Sequence, residues 1–284
     1  MRKDGKIVKT GDPVIKFMPH IMKSRTASQN LIKLSIDCDP IDHYIQKTRE
    51  EKGVSLNYMS VLIAAFNRVI YERPKLNYFI QNGKTYSHNN ISFSFSFKKR
   101  LSDDQDEDVG KVSFNGTESI FDVHKTIVTY IKEQVANAND DENSSKFSAR
   151  LAKLPHFIVK MFGNLVLFID KKFGLPKALL EFSPFHSTMF FTNLKSIKVP
   201  HVYHHLYEIG TVSLFCAMGK EHLEFDENED HVIVKKKKLG LGITTDDRIC
   251  DGLYYGNSMR LFQKYLANPE LLENTLEEKP VEAK

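Results

Sequence analysis

Leu241–Gly256 reads LGITTDDRICDGLYYG, and its order of residue types decides how the chain around it is organised. The β-branched and apolar residues from Lys235 to Thr245 have the character of a strand. Three carboxylates, Asp246, Asp247 and Asp251, and the guanidinium of Arg248 then crowd a short turn. Gly252 offers that turn a residue tolerant of positive φ. Beyond it, Met259, Phe262 and Leu266 fall at helical core spacing until Asn268-Pro269 ends the pattern. A strand end that feeds a charged turn aims mobile side chains from a rigid element, so the search for chemistry starts there.

Working back from this run, Met189–Asn193, Thr211–Met218, Glu221–Phe225 and His231–Thr245 read as strands, the last two as a hairpin around Asp226–Asp230. The sharpest alternation sets Ile91, Phe93, Phe95 and Phe97 against Ser92, Ser94 and Ser96, and Val109–Phe114 returns beside it. Asn82-Gly83 is a hairpin turn signal. Leu56, Met59, Leu62, Ile63, Phe66, Val69 and Ile70 form a wide apolar stripe at helical period, and Ile120–Ile131 forms another. Two further helical stretches are predicted, about Arg150–Met161 and Asn164–Phe173, after a polar insert at Ala136–Ser145. The whole reads as one α/β domain, a mixed sheet covered by helices. Residues 1–18 form a basic N-terminal extension, 19–272 the domain, and 273–284 a polar tail that frays.

Composition narrows the function. Hydrophobic residues at 41%, with 20 Phe, supply a core for one large domain. The net charge of +4 is mild, and its main cluster, Lys235–Lys238, lies inside a strand. No basic stripe interleaved with aromatics is present, so no nucleic-acid partner is expected. Cys38, Cys216 and Cys250 are odd in number and form no CxxC pair, so neither a disulfide framework nor a zinc site is suggested. No signal peptide opens the sequence. The most apolar run, Phe157–Ile169, is broken by Lys160, Gly163 and Asn164 and is far short of the ~20 residues a bilayer span needs. No membrane partner and a reducing cytoplasm are the expectation.

The run Asp246–Gly252 resembles the signature Asp-His-Arg-x-x-Asp-Gly near the C-terminus of dihydrolipoyl acyltransferase catalytic domains, from 2-oxo-acid dehydrogenase complexes, and of chloramphenicol acetyltransferase. Asp246, Arg248, Asp251 and Gly252 match it. Asp247 stands where the family carries its general-base histidine. Pro19–Arg25, PHIMKSR, resembles the family's opening helix, and Arg73–Asn77 resembles a later family run. STMFFTNLKS, Ser187–Ser196, resembles the family's Thr-Ile-Ser-Asn-Leu-Gly: Thr192 falls on the oxyanion-binding serine, and Asn193 and Leu194 match directly. The resemblance implies an α+β sandwich of the chloramphenicol acetyltransferase type and a homotrimer with each site between two chains. It also implies acyl transfer from a thioester such as that of coenzyme A, with no resident cofactor.

The chemistry gives these residues roles. A histidine near pKa ~6.5 is matched to a thiol at ~8.5, whereas an aspartate near ~3.9 is a much weaker base. Asp247 is therefore a rebuilt base or a structural turn residue. A hydroxyl such as that of Thr192 is worth about 3 kcal/mol when it donates to an oxyanion. By resemblance Asp251 is structural, paired with Arg25 or with Arg248. His204 and His205 are a displaced base or structural residues. Asp246, Asp247 and Asp251 lack the helical setting of aspartate-rich magnesium motifs, and no metal is expected. Two functions remain: a stand-alone acyltransferase, or a noncatalytic trimer that binds a small molecule or a partner.

Overall fold

The computed structural model describes residues 2–9, 13–97, 108–136, 154–227 and 231–277. Its larger sheet has six strands in the order β2 (Gln29–Asp37), β9 (Ile233–Asp246), β8 (Leu214–Glu227), β7 (Met189–Asn193), β5 (Ile91–Phe97) and β6 (Asp108–Phe114). The pairs β5–β7 and β7–β8 are parallel and the others antiparallel, which makes the sheet mixed. A smaller antiparallel sheet joins β1 (Gly5–Ile7), β4 (Lys84–His88) and β3 (Tyr78–Gln81). Asn82 and Gly83 both adopt positive φ between β3 and β4, as a two-residue hairpin requires.

Four helices cover one face of the large sheet: α2 (Asp39–Lys52), α3 (Tyr58–Glu72), α4 (Ile120–Ala136) and a later helix, α7 (Gly252–Ala267). From Ser60 to Ile70 every residue of α3 is buried, as expected of a helix apolar all round. Asn57 caps it, its side-chain oxygen accepting from the Ser60 amide at 2.9 Å. Phe66 of α3 stacks on Phe262 of α7 with ring centroids 3.9 Å apart. Each such buried side chain contributes about 1.5–3 kcal/mol. Phe93 and Phe95 of β5 point into the same core. The serine face is covered too: Ser94 Oγ lies 2.7 Å from the Pro184 carbonyl and 2.9 Å from Ser187 Oγ.

A strap, Pro200–Leu206, crosses the other face over β8 and β9. Three glycines let it lie flat. A Cβ on Gly219 would come 2.1 Å from the His201 nitrogen, one on Gly240 2.3 Å from His201 Nδ1, and one on Gly242 2.1 Å from the Val202 carbonyl oxygen. These are glycines of close backbone approach. The Lys220 amide donates to Val199 at 2.8 Å, where β8 shifts register between Met218 and Glu221. The two predicted strands here are thus one irregular strand.

Several boundaries differ from the sequence reading. Residues 2–9 and 13–18 of the expected N-terminal extension are joined to the domain. β1 pairs with β4, α1 (Pro13–Ile21) packs near it, and Arg2 is buried against Asp170 at 3.0 Å. The tail is docked as far as Glu277: Glu273 accepts from Tyr44 at 3.0 Å, Arg68 donates to the Asn274 carbonyl at 2.7 Å, and the Leu276 amide to Thr117 at 2.9 Å. The two helical stretches near residue 160 are one helix, α5 (His156–Phe173), followed by α6 (Lys177–Phe182). Gly163 passes through it at a cost of only about 1 kcal/mol. The start of the first stretch, at Arg150, and nearly all of the insert Ala136–Ser145 lie outside the described residues.

The glycine contacts generate a test. Gly242→Ala is expected to destabilise by about 1–3 kcal/mol, because the strap or β9 must shift. Gly252→Ala, with nothing within 4 Å of its built Cβ, is the control and should leave stability nearly unchanged. Thermal unfolding of both variants decides it; equal melting temperatures would show that the strap does not rest on β9.

Candidate active site

The turn after β9 is organised by Asp246, whose carboxylate is fully buried. Oδ1 accepts from the Arg248 amide at 3.1 Å and from Arg248 Nε at 2.8 Å, while Oδ2 takes the terminal nitrogen at 2.6 Å. This is a bidentate clamp between residues two apart. The other end of the Arg248 guanidinium donates to the Met22 carbonyl at 3.0 Å, and Tyr255 of α7 donates to the Asp246 carbonyl at 2.7 Å. The clamp therefore ties β9, the segment after α1, and α7.

Neither pairing considered for Asp251 forms. Asp251 is exposed and caps α7, Oδ1 accepting from the Tyr254 amide at 2.9 Å. That bond holds its carboxyl below the usual range. Arg25 is buried and gives its hydrogen bonds to carbonyls: Tyr207 at 3.3 Å, Glu208 at 3.1 Å and Ile80 at 3.2 Å. Burial lowers its pKa. Arg248 is already held by Asp246. Gly252 is the first residue of α7 and does not have positive φ, because the cap at Asp251 already turns the chain.

Asp247 is half-buried. Its amide donates to the Ser28 carbonyl at 2.8 Å, and the Asn30 side-chain amide reaches its Oδ1 at 3.4 Å. No ion pair to Asp247 forms among the described residues, and its carboxylate lies beside Asn30 of β2.

Thr192 is set at the far end of β7. Its hydroxyl lies 3.3 Å from Ser96 Oγ, because β5 and β7 run side by side in register. Both line a cleft of about 820 Å³ together with Tyr58, Lys195 and Met218. Asn193 accepts from the Ser196 amide at 3.2 Å and caps a short 3-10 turn, a structural task. Lys195 pairs with Glu221 at 2.6 Å and lies over the Tyr58 ring at 3.9 Å. Burial, then a 2.6 Å hydrogen bond to Asp42, pushes the Tyr58 phenol far up, so it stays a donor at neutral pH. Sequence reading missed Ser96, Tyr58 and Lys195. Ser96 had a signal in the alternation of β5; Tyr58 and Lys195 had none.

His204 and His205 lie on the strap. Their rings stack at 4.5 Å, His204 stacks on Phe215 at 4.1 Å, and His204 Nδ1 lies 2.8 Å from the His205 carbonyl. Phe215 pairs with Phe190 in β7, two residues before Thr192, so His204 shares a sheet face with that hydroxyl, about 7 Å further along the strand.

Thr192 and Asp247 are not brought together within one chain. Thr192 is level with Ala217 of β8 and Gly242 of β9. Asp247 follows Gly242 by five residues, or roughly 16 Å of strand, and stands two strands to the side, roughly 10 Å. Burial raises the thiols of Cys250, to about 12, and of Cys216, which leaves neither a ready nucleophile. Among the described residues no group of three or more His, Cys, Asp or Glu side chains is placed to hold a metal ion.

The clamp predicts an asymmetry between the two acids. Asp246→Asn should destabilise by about 3–5 kcal/mol, because it leaves a buried guanidinium without its carboxylate. Asp251→Ala should cost much less, removing one exposed helix cap. Chemical unfolding of both variants checks the order; a larger loss at Asp251 would place the structural acid there.

Comparison of the sequence with protein-family models finds no match, and comparison with curated proteins finds none. Solved structures do match. A probable dihydrolipoamide acetyltransferase from Listeria monocytogenes superposes with a TM-score of 0.57 at 16% identity, over 98% of this chain and 99% of that one. The dihydrolipoamide acetyltransferase of Azotobacter vinelandii gives 0.58 at 12% identity, over 93% and 94%. A chloramphenicol acetyltransferase gives 0.50 at 12% identity, over 92% and 99%. The mixed sheet covered by helices is therefore the fold of the chloramphenicol acetyltransferase-like acyltransferase catalytic domains.

Proposed function

We propose that the protein is an acyltransferase whose site is assembled between the chains of a homotrimer. The observation that carries this reading is the separation just described: the candidate oxyanion hydroxyl and the candidate base occupy opposite ends of one sheet. A single acyl carbon meets both only if one comes from a neighbouring chain. The same fold builds the cubic core of the pyruvate dehydrogenase multienzyme complex, so association of such domains has precedent. In the Azotobacter vinelandii enzyme the catalytic roles of a serine, a histidine and an asparagine have been investigated. Thr192 and Asp247 are this chain's candidates for the first two.

In this reading the acyl donor is a thioester such as that of coenzyme A, and no cofactor is resident. The acceptor's hydroxyl, amine or thiol gives its proton to Asp247 and attacks the thioester carbonyl. The tetrahedral oxygen takes a hydrogen bond from Thr192 Oγ, which in turn rests against Ser96 Oγ. Collapse expels the thiolate, which recovers a proton. His204 is the alternative base, since it shares the face of Thr192. Asp246, Arg248, Asp251, Arg25 and Asn193 hold backbone and turn in place and take no proton. A noncatalytic trimer that binds a small molecule is the second reading, favoured by the position of Asp247, with one long hydrogen bond from Asn30.

Steady-state kinetics with acetyl-coenzyme A and a panel of acceptors test the assignment. Thr192→Ala should lower turnover by about 10²–10³-fold. Asp247→His should raise thiol-dependent transfer by ~10²-fold or more if the position is merely vacant of a good base. No activity in any form, with no coenzyme A binding, would establish the noncatalytic reading.

The shared site makes a separate prediction. Light scattering should give a trimer mass at micromolar concentration. Co-expressed Thr192→Ala and Asp247→Ala chains should recover part of the activity that each loses alone, since mixed trimers hold some intact sites. A monomer mass, or no recovery in mixtures shown to exchange, rules out a site between chains.

A further inference from the structure

α5 is largely uncovered along its length. Of its residues His156–Phe173 only Asp170 is buried. That residue is the pin: it meets Arg2 at 3.0 Å and His186 at 3.1 Å, and its carboxylate also accepts from the Gly210 amide at 3.2 Å. On the side of the helix away from Asp170, Phe157, Met161, Leu165 and Phe168 recur at i, i+4, i+8 and i+11, one continuous stripe. They are 69%, 64%, 52% and 54% exposed. Phe182 of α6 is itself 86% exposed. A soluble surface does not carry such a stripe without an occupant.

We propose that α5 is a membrane-surface helix, which lays this stripe into the interface of a bilayer that carries anionic lipid. Two observations select that occupant. The first is charge: Lys160, Lys171 and Lys172 are exposed on α5, and its only acidic residue is the buried Asp170. Lys172 lies over the Phe168 ring at 5.4 Å and the Phe173 ring at 5.8 Å, its stem along apolar surface and its ammonium free to reach lipid headgroups. The second is shape. Every residue of the helix but Asp170 keeps contact with solvent, a length of surface that a bilayer interface accommodates whole and a protein partner only with a matching groove. At 1.5 Å per residue it is about 27 Å long. It does not cross: no described helix is long and apolar enough to span a membrane. The short apolar run bears on spanning alone; lying on a membrane surface is a separate matter of exposed apolar area and charge.

Vesicle flotation with the full-length protein tests the proposal. It should float with vesicles of phosphatidylcholine and phosphatidylglycerol and lose them as salt is raised, with little flotation on phosphatidylcholine alone. The double variant Phe157→Ser, Phe168→Ser should reduce partition by ~10²-fold or more, and Lys171→Gln by about fivefold, with melting temperature and oligomer mass unchanged. The chain has no tryptophan, so Phe168→Trp places one fluorophore on the stripe. Its emission should shift to the blue on adding the anionic vesicles and not on adding phosphatidylcholine. The proposal is overturned by an absence of flotation at low salt, by flotation indifferent to the double variant, or by an emission already blue without lipid. It is also overturned if the double variant changes the oligomer mass, which would make the stripe a contact between copies of the chain.

Discussion

The buried carboxylate of Asp246 is the point on which the site end of the fold depends. A charge removed from water costs several kcal/mol and is tolerated only when its lone pairs are met by good donors. Here Arg248 meets both oxygens with three nitrogens, and its remaining nitrogen reaches the Met22 carbonyl. The clamp forces the chain to reverse within two residues of the end of β9. It sets the start of α7 and leaves Asp247 as the residue between the two clamped partners. A turn built this way is rigid enough to present a side chain to another molecule.

The two faces of the large sheet solve different problems. On the helical face, α3 is buried almost throughout, and aromatic stacking such as Phe66 on Phe262 fills the space between layers. The other face, at β8 and β9, is covered differently. A strap lies there, and it fits because Gly219, Gly240 and Gly242 remove the side chains that would hold it away. Within the strap His204 and His205 are held by stacking, one on the other and His204 on Phe215. Thr192 opens on the same face.

Much of this was legible in the sequence because periodicity and turn chemistry are local. The β9–α7 junction, the hairpin at Asn82-Gly83 and the buried strand Ile91–Phe97 all follow from spacing. The Thr192 region was placed on a strand end beside Asn193, where it is. What was not legible depends on distance through space. Sequence cannot say that Arg248 folds back on Asp246 two residues away while Arg25 turns to carbonyls, since both arginines were credible partners for an acid. Nor does it reveal that Gly240 and Gly242 serve a strap arriving from residues 201–202. The N-terminal residues looked like an extension because Arg2 finds its partner, Asp170, 168 positions later. Ile91, Phe93 and Phe95 of the Phe-rich strand are buried in the single chain, and the exposed apolar face belongs to α5.

The position of β9 also bears on how the molecule is made. This strand lies between β2 and β8, yet it is synthesised some two hundred residues after β2. Until residues 233–246 have emerged, β2 has no neighbour on either side and the sheet stops at β8. The nascent chain therefore carries an open strand edge until β9 is made, and the closing step joins segments some two hundred residues apart. Such late, long-range pairing is slow and leaves unfinished chains prone to sticking together. Demand for chaperone protection during synthesis should accordingly be set by the time taken to translate the stretch from β2 to β9.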